Sequence, residues 1–320
     1  MATITGTKLG DSLVGAANAD RISAGNGNDQ IFAGNGNDRV FGENGNDIIF
    51  GENGNDVIFG GNGDDIIYDG AGFDNLLGGN GNDIFRLSDS NRFGTRAAFD
   101  PAGMPEIFGG SGYDIVDATG AVEAIQFDEF IFAVGSIEEF IGSQFNDSVN
   151  ATSVNFEVVL SGGAGNDTLI GGSGNDILSG GSGNDVIQGG GGADLLTGGV
   201  SSDPAIANRD RFVFASSSDS LLRGFDIIQD LEIGHDVIDW ITPITPNQVA
   251  QLGTVASLQA AAIANVLSPN ALIASGAATF TFEDQTFLAL NDEVAGFQAA
   301  SDLVVEITGY RGNLSNLSIV

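Results

Sequence analysis

The chain has 320 residues, 43 acidic against 10 basic, for a formal net charge of −33. That balance disfavours nucleic acid and anionic membrane surfaces, which recruit positive charge, and favours cations as partners. Hydrophobic residues make up 42% and include 22 Phe, enough for a core and against disorder, while the absence of Cys removes disulfides as a source of stability.

The opening residues, Met1 to Gly6, show no basic stretch followed by an apolar run, so no Sec signal peptide is expected. No run of about 18 apolar residues predicts a membrane span. From Gly6 to Arg86 the chain divides into nine consecutive nine-residue units, the clearest being Gly42–Phe50 and Gly51–Phe59. A tenth, Gly109–Asp117, follows an insertion, and four more run from Gly162 to Thr197. Between them Gly142–Asn150 is a degraded copy that keeps Asp147 and Val149.

Each unit has two halves. Six residues of Gly, Asn and Asp are turn formers that tolerate positive φ. Three residues centred on Ile, Val, Leu or Phe suit a short strand. Turn plus strand repeated every nine residues predicts parallel coiling, with two units to an 18-residue turn of the coil and two opposed sheets. Inward ladders then follow: Ile31, Ile49, Ile67 and Phe85 on one sheet, and Ile22, Val40, Ile58 and Leu76 on the other. Each fully buried member contributes about 1.5–3 kcal/mol, and because no unit buries its own strand, stacking must hold the fold.

Stacked coils lie about 4.8 Å apart. The aspartates that close the turns therefore line up along two edges: Asp29, Asp47, Asp65 and Asp83 on one, and Asp20, Asp38, Asp56 and Asp74 on the other. Carboxylates about 5 Å apart repel by about 3 kcal/mol at an effective dielectric of about 20. Calcium resolves this, since oxygen ligands at about 2.3–2.6 Å let one ion bridge stacked turns, with turn carbonyls completing the shell. Magnesium demands tighter geometry, and zinc is disfavoured with no Cys and His235 as the single His. The alternative is that these aspartates are solvated turn residues, and likewise that Asn26, Asn35, Asn44 and Asn53 serve the turn rather than a binding face.

These residues resemble the RTX (repeats-in-toxin) nonapeptide, Gly-Gly-x-Gly-x-Asp-x-U-x with U a large apolar residue, over nearly half the chain. The resemblance implies a right-handed parallel β-roll with calcium between successive turns. It carries metal binding over to Asp29, Asp38, Asp47, Asp56, Asp65, Asp74, Asp83, Asp114, Asp167, Asp176, Asp185 and Asp194. Asp11, Asp20, Asp147 and Asp210 stand in imperfect units. Position two holds Glu43 and Glu52 where the family has Gly, which leaves the site intact if a carbonyl alone is needed there. The resemblance also implies export through a type I secretion channel, folding in extracellular calcium, and an extracellular or cell-surface location.

Leu87–Phe108, with Arg92, Arg96, Pro101 and Pro105, is expected to be a surface loop. Ala118–Leu160 has lost the glycine pattern but keeps apolar runs such as Phe130–Val134, expected to continue the solenoid irregularly. Gly198–Asp210 reads as one more repeat split by an insertion. Arg211–Trp240 resembles the cap of RTX rolls, and a cap is expected because an open sheet edge invites aggregation. Ser257–Leu267 has helical composition, followed by strand-like runs at 278–282, 287–290 and 303–307. The last 70 or so residues, through Thr286–Asp292 and Ile307–Tyr310 to Asn316–Val320, resemble the bluetail domain of cyanobacterial surface proteins, which implies a surface role and no chemistry.

An enzyme is not expected. HExxH is absent, no Gly-x-Ser-x-Gly elbow precedes a helix, and the chance GxGxxG matches lack a βαβ context. Position nine of the early units is aromatic at Phe32, Phe41, Phe50, Phe59 and Tyr68, which strand alternation turns outward. That face is either an association surface or is covered by other parts of the chain.

The sequence therefore predicts an all-β right-handed parallel β-roll with an insertion loop and a capped, mostly β C-terminal region. Its parts are a first array over 1–117 with the insertion at 87–108, irregular coils over 118–161, and a second array over 162–199. A cap over 200–245 and a bluetail-like domain over 246–320 follow. The expected function is a calcium-binding secreted or surface structural protein. The alternatives are a calcium-dependent adhesin or ligand-binding module for glycan, surface or ice, or an accessory domain of a separately encoded enzyme. Expected partners are calcium and the type I secretion machinery, with self-association or a cell-surface glycan as further candidates.

Overall fold

The computed structural model describes residues 1–88, 107–127, 136–199, 208–216, 218–222, 224–241, 249–270, 272–292 and 294–320. The loop expected at 87–108 and the run Phe130–Val134 fall largely or wholly outside these residues. The chain forms two compact units, Met1–Ser153 and Val154–Val320.

In the first unit the nine-residue period becomes a parallel β-roll. Strands Thr3–Thr5, Arg21–Asn26, Arg39–Asn44, Val57–Asn62, Asn75–Asn80 and Ile107–Ser111 form one sheet in that order. Ser12–Val14, Gln30–Phe32, Ile48–Phe50, Ile66–Tyr68, Ile84–Arg86, Ile115–Asp117 and Glu139–Ile141 form the opposite sheet. The register is the 18-residue step: Ile31 pairs with Ile49 and Ile49 with Ile67, while Ile22 pairs with Val40 and Val40 with Ile58. Across the insertion Phe85 pairs with Val116 and Leu76 with Ile107, so added residues leave the ladder intact. All eight predicted inward residues have 0% exposure.

The outward aromatics stack on one another. Phe32, Phe50 and Tyr68 lie with centroids 4.8 and 4.5 Å apart, and Phe41 and Phe59 are 4.9 Å apart and nearly parallel. The Arg21 and Arg39 guanidiniums sit 4.3 and 5.3 Å from the Phe41 ring, and Arg86 sits 5.9 Å from Tyr68. Ring faces are thus largely turned to neighbouring rings, and the residues are half-buried. Position-three asparagines do the same: Asn44 Nδ2 donates to Asn26 Oδ1 at 2.9 Å, Asn62 to Asn44 at 2.8 Å, and Asn80 to Asn62 at 2.6 Å. Those amides are thus engaged with one another along the coil.

The second unit repeats the design. Val159–Ala164, Ile177–Ser182, Leu195–Thr197 and Asp226–Ile228 stack in parallel, as do Thr168–Ile170, Val186–Gln188, Arg211–Phe214, Val237–Trp240 and Ser318–Ile319. The segment 211–240 therefore supplies further coils. The first of these two sheets continues through Leu303–Glu306, Gln285–Leu290, Ala277–Phe282 and Val249–Thr254. Gln285–Leu290 runs antiparallel to both of its neighbours. Helix Ala260–Val266 buries Ile263 in a cluster with Phe280, Phe287 and Val304.

Candidate metal centre

The turn aspartates are tied to one another through the main chain. In the first unit the N–H of Asp11 donates to Asp29 Oδ1 at 2.7 Å, and the same bond links Asp29 to Asp47, Asp47 to Asp65, Asp65 to Asp83 and Asp83 to Asp114 at 2.8–2.9 Å. The series ends with Asp114 N–H on Glu138 Oε2 at 2.8 Å. On the opposite edge Asp20 bonds to Asp38, Asp38 to Asp56 and Asp56 to Asp74 at 2.6–2.7 Å, and farther along Ile125 N–H bonds to Asp147 Oδ1 at 2.7 Å. In the second unit Asp176 links to Asp194 and Asp194 to Asp226, while Asp167 links to Asp185, Asp185 to Asp210 and Asp210 to Asp236. Every aspartate named from the sequence sits in one of these ladders, including Asp11, Asp20, Asp147 and Asp210.

The second carboxylate oxygen is where the sites differ. At Asp29, Asp38, Asp47, Asp56, Asp65, Asp83, Asp114, Asp185 and Asp194, Oδ2 is buried and accepts no hydrogen bond. In each of these turns position two has positive φ, from Gly25 at 109° to Gly190 at 100°. In a second state of the turn, Oδ2 accepts the N–H four residues back: Ala16 to Asp20 at 2.8 Å, and Ser143 to Asp147, Gly172 to Asp176 and Glu232 to Asp236 at 2.7 Å. Thr7 to Asp11 at 2.5 Å is the same bond. Position two lacks positive φ in all five of these closed turns.

Asp176 corrects a simple reading of the motif. Its unit, Gly171-Gly172-Ser173-Gly174-Asn175-Asp176, has the full repeat sequence, yet the turn is closed. The residue stacked before it is Val158, whose N–H meets Asp176 Oδ1 at 2.9 Å. The ladder position before it thus holds no aspartate, and Asp176 Oδ2 is satisfied within its own turn. Asp226 and Asp236 are ladder members absent from the sequence-derived set. Their signal was the fragments Phe225-Asp226-Ile227-Ile228 and Gly234-His235-Asp236-Val237-Ile238, which keep the end of the repeat after its turn has been replaced.

Ten buried oxygens without donors, counting Asp226, make these edges electrostatically costly. Burial pushes Asp47 and Asp83 up to about 6 and Asp56, Asp65, Asp114 and Asp194 up to about 7, against the lowering effect of the ladder N–H bonds. Burial, with Asp194, Asp219 and Asp176 around it, takes Asp226 to about 9. Among the described residues no three acidic or histidine side chains converge on one point, so an ion there needs main-chain oxygens as well. The turns present them: a Cβ on Gly42 would meet both Asp47 Oδ2 and Gly60 O of the next coil, which puts a main-chain oxygen beside the open carboxylate. All-oxygen, anionic and lacking a protein cation, this donor set fits calcium.

A family model, the RTX calcium-binding nonapeptide repeat, matches residues 5–40, 32–67, 59–91, 159–187 and 170–203. The chain carries RTX calcium-binding nonapeptide repeats. The RTX repeats bind calcium, several ions to an array, and calcium is accordingly the cofactor of this chain. No curated protein matches the sequence. Glu43 and Glu52, where the RTX consensus has Gly, keep the glycine-like conformation at φ 76° and 68°, so their carbonyls hold the same course through the turn.

Proposed function

We propose that the open turns are the calcium sites, each built from the unpartnered Oδ2 atoms and turn carbonyls of stacked coils, and that the chain is a secreted or surface structural protein that folds on calcium. The observation that carries this is the set of donorless, buried Oδ2 atoms. A fold that leaves ten carboxylate oxygens in this state is poorly stable alone and is stabilised by whatever cation fills them, because binding energy adds to folding energy. Calcium, when bound, supplies the positive charge that neighbouring turns share. The chain's own part is to hold each carboxylate by Oδ1 and to keep its Oδ2 clear by turning the position-two N–H away.

Extracellular calcium modules bind at about 10⁻⁴–10⁻³ M, so the roll would stay unfolded in calcium-poor cytosol and form after export. The type I route, the surface location and the bluetail-like ending belong to this reading. Among the described residues no helix is long and apolar enough to cross a membrane. A calcium titration followed by circular dichroism, with magnesium as control, tests it. A β signal that rises with calcium and not magnesium is expected, and an unchanged spectrum would sink the proposal.

A further inference from the structure

Far along the chain from the repeats, the C-terminal domain rebuilds the same turn out of unrelated sequence. Asp302 lies directly before strand Leu303–Glu306 and has 0% exposure. Its Oδ2 accepts the N–H of Gln298, four residues back, at 2.5 Å, and its Oδ1 accepts the N–H of Asp292 at 3.3 Å. Both bonds copy the closed turn of the arrays, where Oδ2 takes the N–H four residues earlier and Oδ1 takes an N–H from a neighbouring segment, so the demand for a cation here comes from the acceptors around Asp302 rather than from a free Oδ2.

Around Asp302 the acceptors outnumber the donors. Strands Gln285–Leu290 and Leu303–Glu306 pair antiparallel with Leu290 opposite Leu303. The next step of that register sets Asn291 opposite Asp302, and directly opposed positions bring side chains to the same face within about 5 Å. Asn291 also has 0% exposure. Its amide orientation is fixed, since Nδ2 donates to Ile273 O at 2.8 Å and Val294 O at 2.9 Å. Asn291 Oδ1 is then buried with no donor, and so is Gln298 Oε1. Asp292 adds a carboxylate, one oxygen of which accepts Val294 N–H at 2.7 Å. Among the described residues no lysine, arginine or histidine forms a salt bridge with Asp292 or Asp302.

We infer that Asn291, Asp292, Gln298 and Asp302 form a separate hard-cation site, for calcium, in the C-terminal domain and outside the RTX arrays. Its donors are two carboxylates and two side-chain amide oxygens, a set with no nitrogen or sulfur, which selects calcium over zinc. Two buried amide oxygens left without donors are costly, and an ion at this point would satisfy both together with the charge on Asp302. Burial raises Asp302 to about 6, with the charge of Asp292 adding to the rise, as expected of a carboxylate lacking a counter-ion. The site ties the end of one strand to the start of the next, so it would make folding of the tail calcium-dependent in its own right.

Hydrogen–deuterium exchange on the full chain, with calcium or with chelator, reads both regions at once. Asp302→Asn risks unfolding the domain, because both of its oxygens hold main-chain N–H groups. Gln298→Met removes the orphaned oxygen at similar volume, and without metal it should be at least as stable as the natural chain. The expected result is that peptides over 291–302 exchange about tenfold more slowly in calcium in the natural chain, and that Gln298→Met loses this while residues 24–83 keep their protection. A loop response that is equal in both proteins, or absent while the arrays respond, overturns the inference. A loop response without an array response supports it and counts against the array sites instead, so the two readings fail separately.

Discussion

Asp47 and Asp65 are joined by a single hydrogen bond, the N–H of the first to Oδ1 of the second at 2.8 Å, and each keeps a second oxygen buried with no donor. One carboxylate therefore does two jobs. Oδ1 stitches one coil to the next with or without metal, and Oδ2 is the part that demands a cation. Asparagine separates the two, since its Oδ1 can keep the stitch while its Nδ2 replaces Oδ2.

Asp65→Asn should lower calcium affinity about tenfold or more, about 1.4 kcal/mol or above, while the metal-free protein becomes no less stable. Calcium titrations of thermal unfolding read both quantities. An equal loss of stability with and without calcium would show that Asp65 acts through packing alone.

Acid should stabilise the metal-free roll. Burial raises Asp47, Asp56, Asp65, Asp83, Asp114 and Asp194 from 3.8 to about 6 or 7, so the folded chain binds more protons than the unfolded chain across that interval. Stability in chelator therefore rises as pH falls from about 7 toward 4, and is lost again as pH climbs through the folded values. Calcium competes with those protons, so the affinity of the folded roll for calcium should weaken over the same fall. Circular dichroism in chelator at pH 5 and pH 7.5 checks the sign.

Glu52 holds φ at 68°, a conformation that costs a side-chain-bearing residue about 1–3 kcal/mol, less the entropy a glycine would lose on folding. Glu52→Gly should raise stability by up to about 1 kcal/mol and leave the number of bound ions unchanged. Gly63→Ala should do the reverse, because φ is 123° and a Cβ there meets Gly45 O.

Phe50 sits between Phe32 and Tyr68 in the outward stack. Replacing it with Ser should cost about 1–3 kcal/mol through the two ring contacts. If the stack serves the roll, the association state stays the same by light scattering. If this face joins copies, the variant loses the larger species.

The repeat period made the coil legible, because Gly and Asp at fixed offsets set the turn and a nine-residue step fixes the stacking of Ile31 on Ile49. Asp114 remained legible across an insertion, since its turn sequence is intact. Asp226 and Asp236 did not, because insertions changed the spacing and left only Asp with the strand after it. The closed turn at Asp176 was not legible either. Its own sequence is that of an open turn, and what sets it apart is the neighbour in the stack, Val158 in place of an aspartate, 18 residues earlier. In the C-terminal region the apolar runs marked the strands, but nothing in them revealed that Gln285–Leu290 runs antiparallel or that the Asp292 N–H meets Asp302.

The most direct measurement is anomalous scattering from crystals of the chain grown in calcium. Calcium peaks are predicted about 2.3–2.6 Å from Oδ2 of Asp29, Asp47, Asp65 and Asp83 on one edge and of Asp38 and Asp56 on the other. Oδ2 of Asp20 should remain on the Ala16 N–H. Calcium absent from those open turns in a folded chain, or held at the closed turns of the arrays instead, would contradict the account.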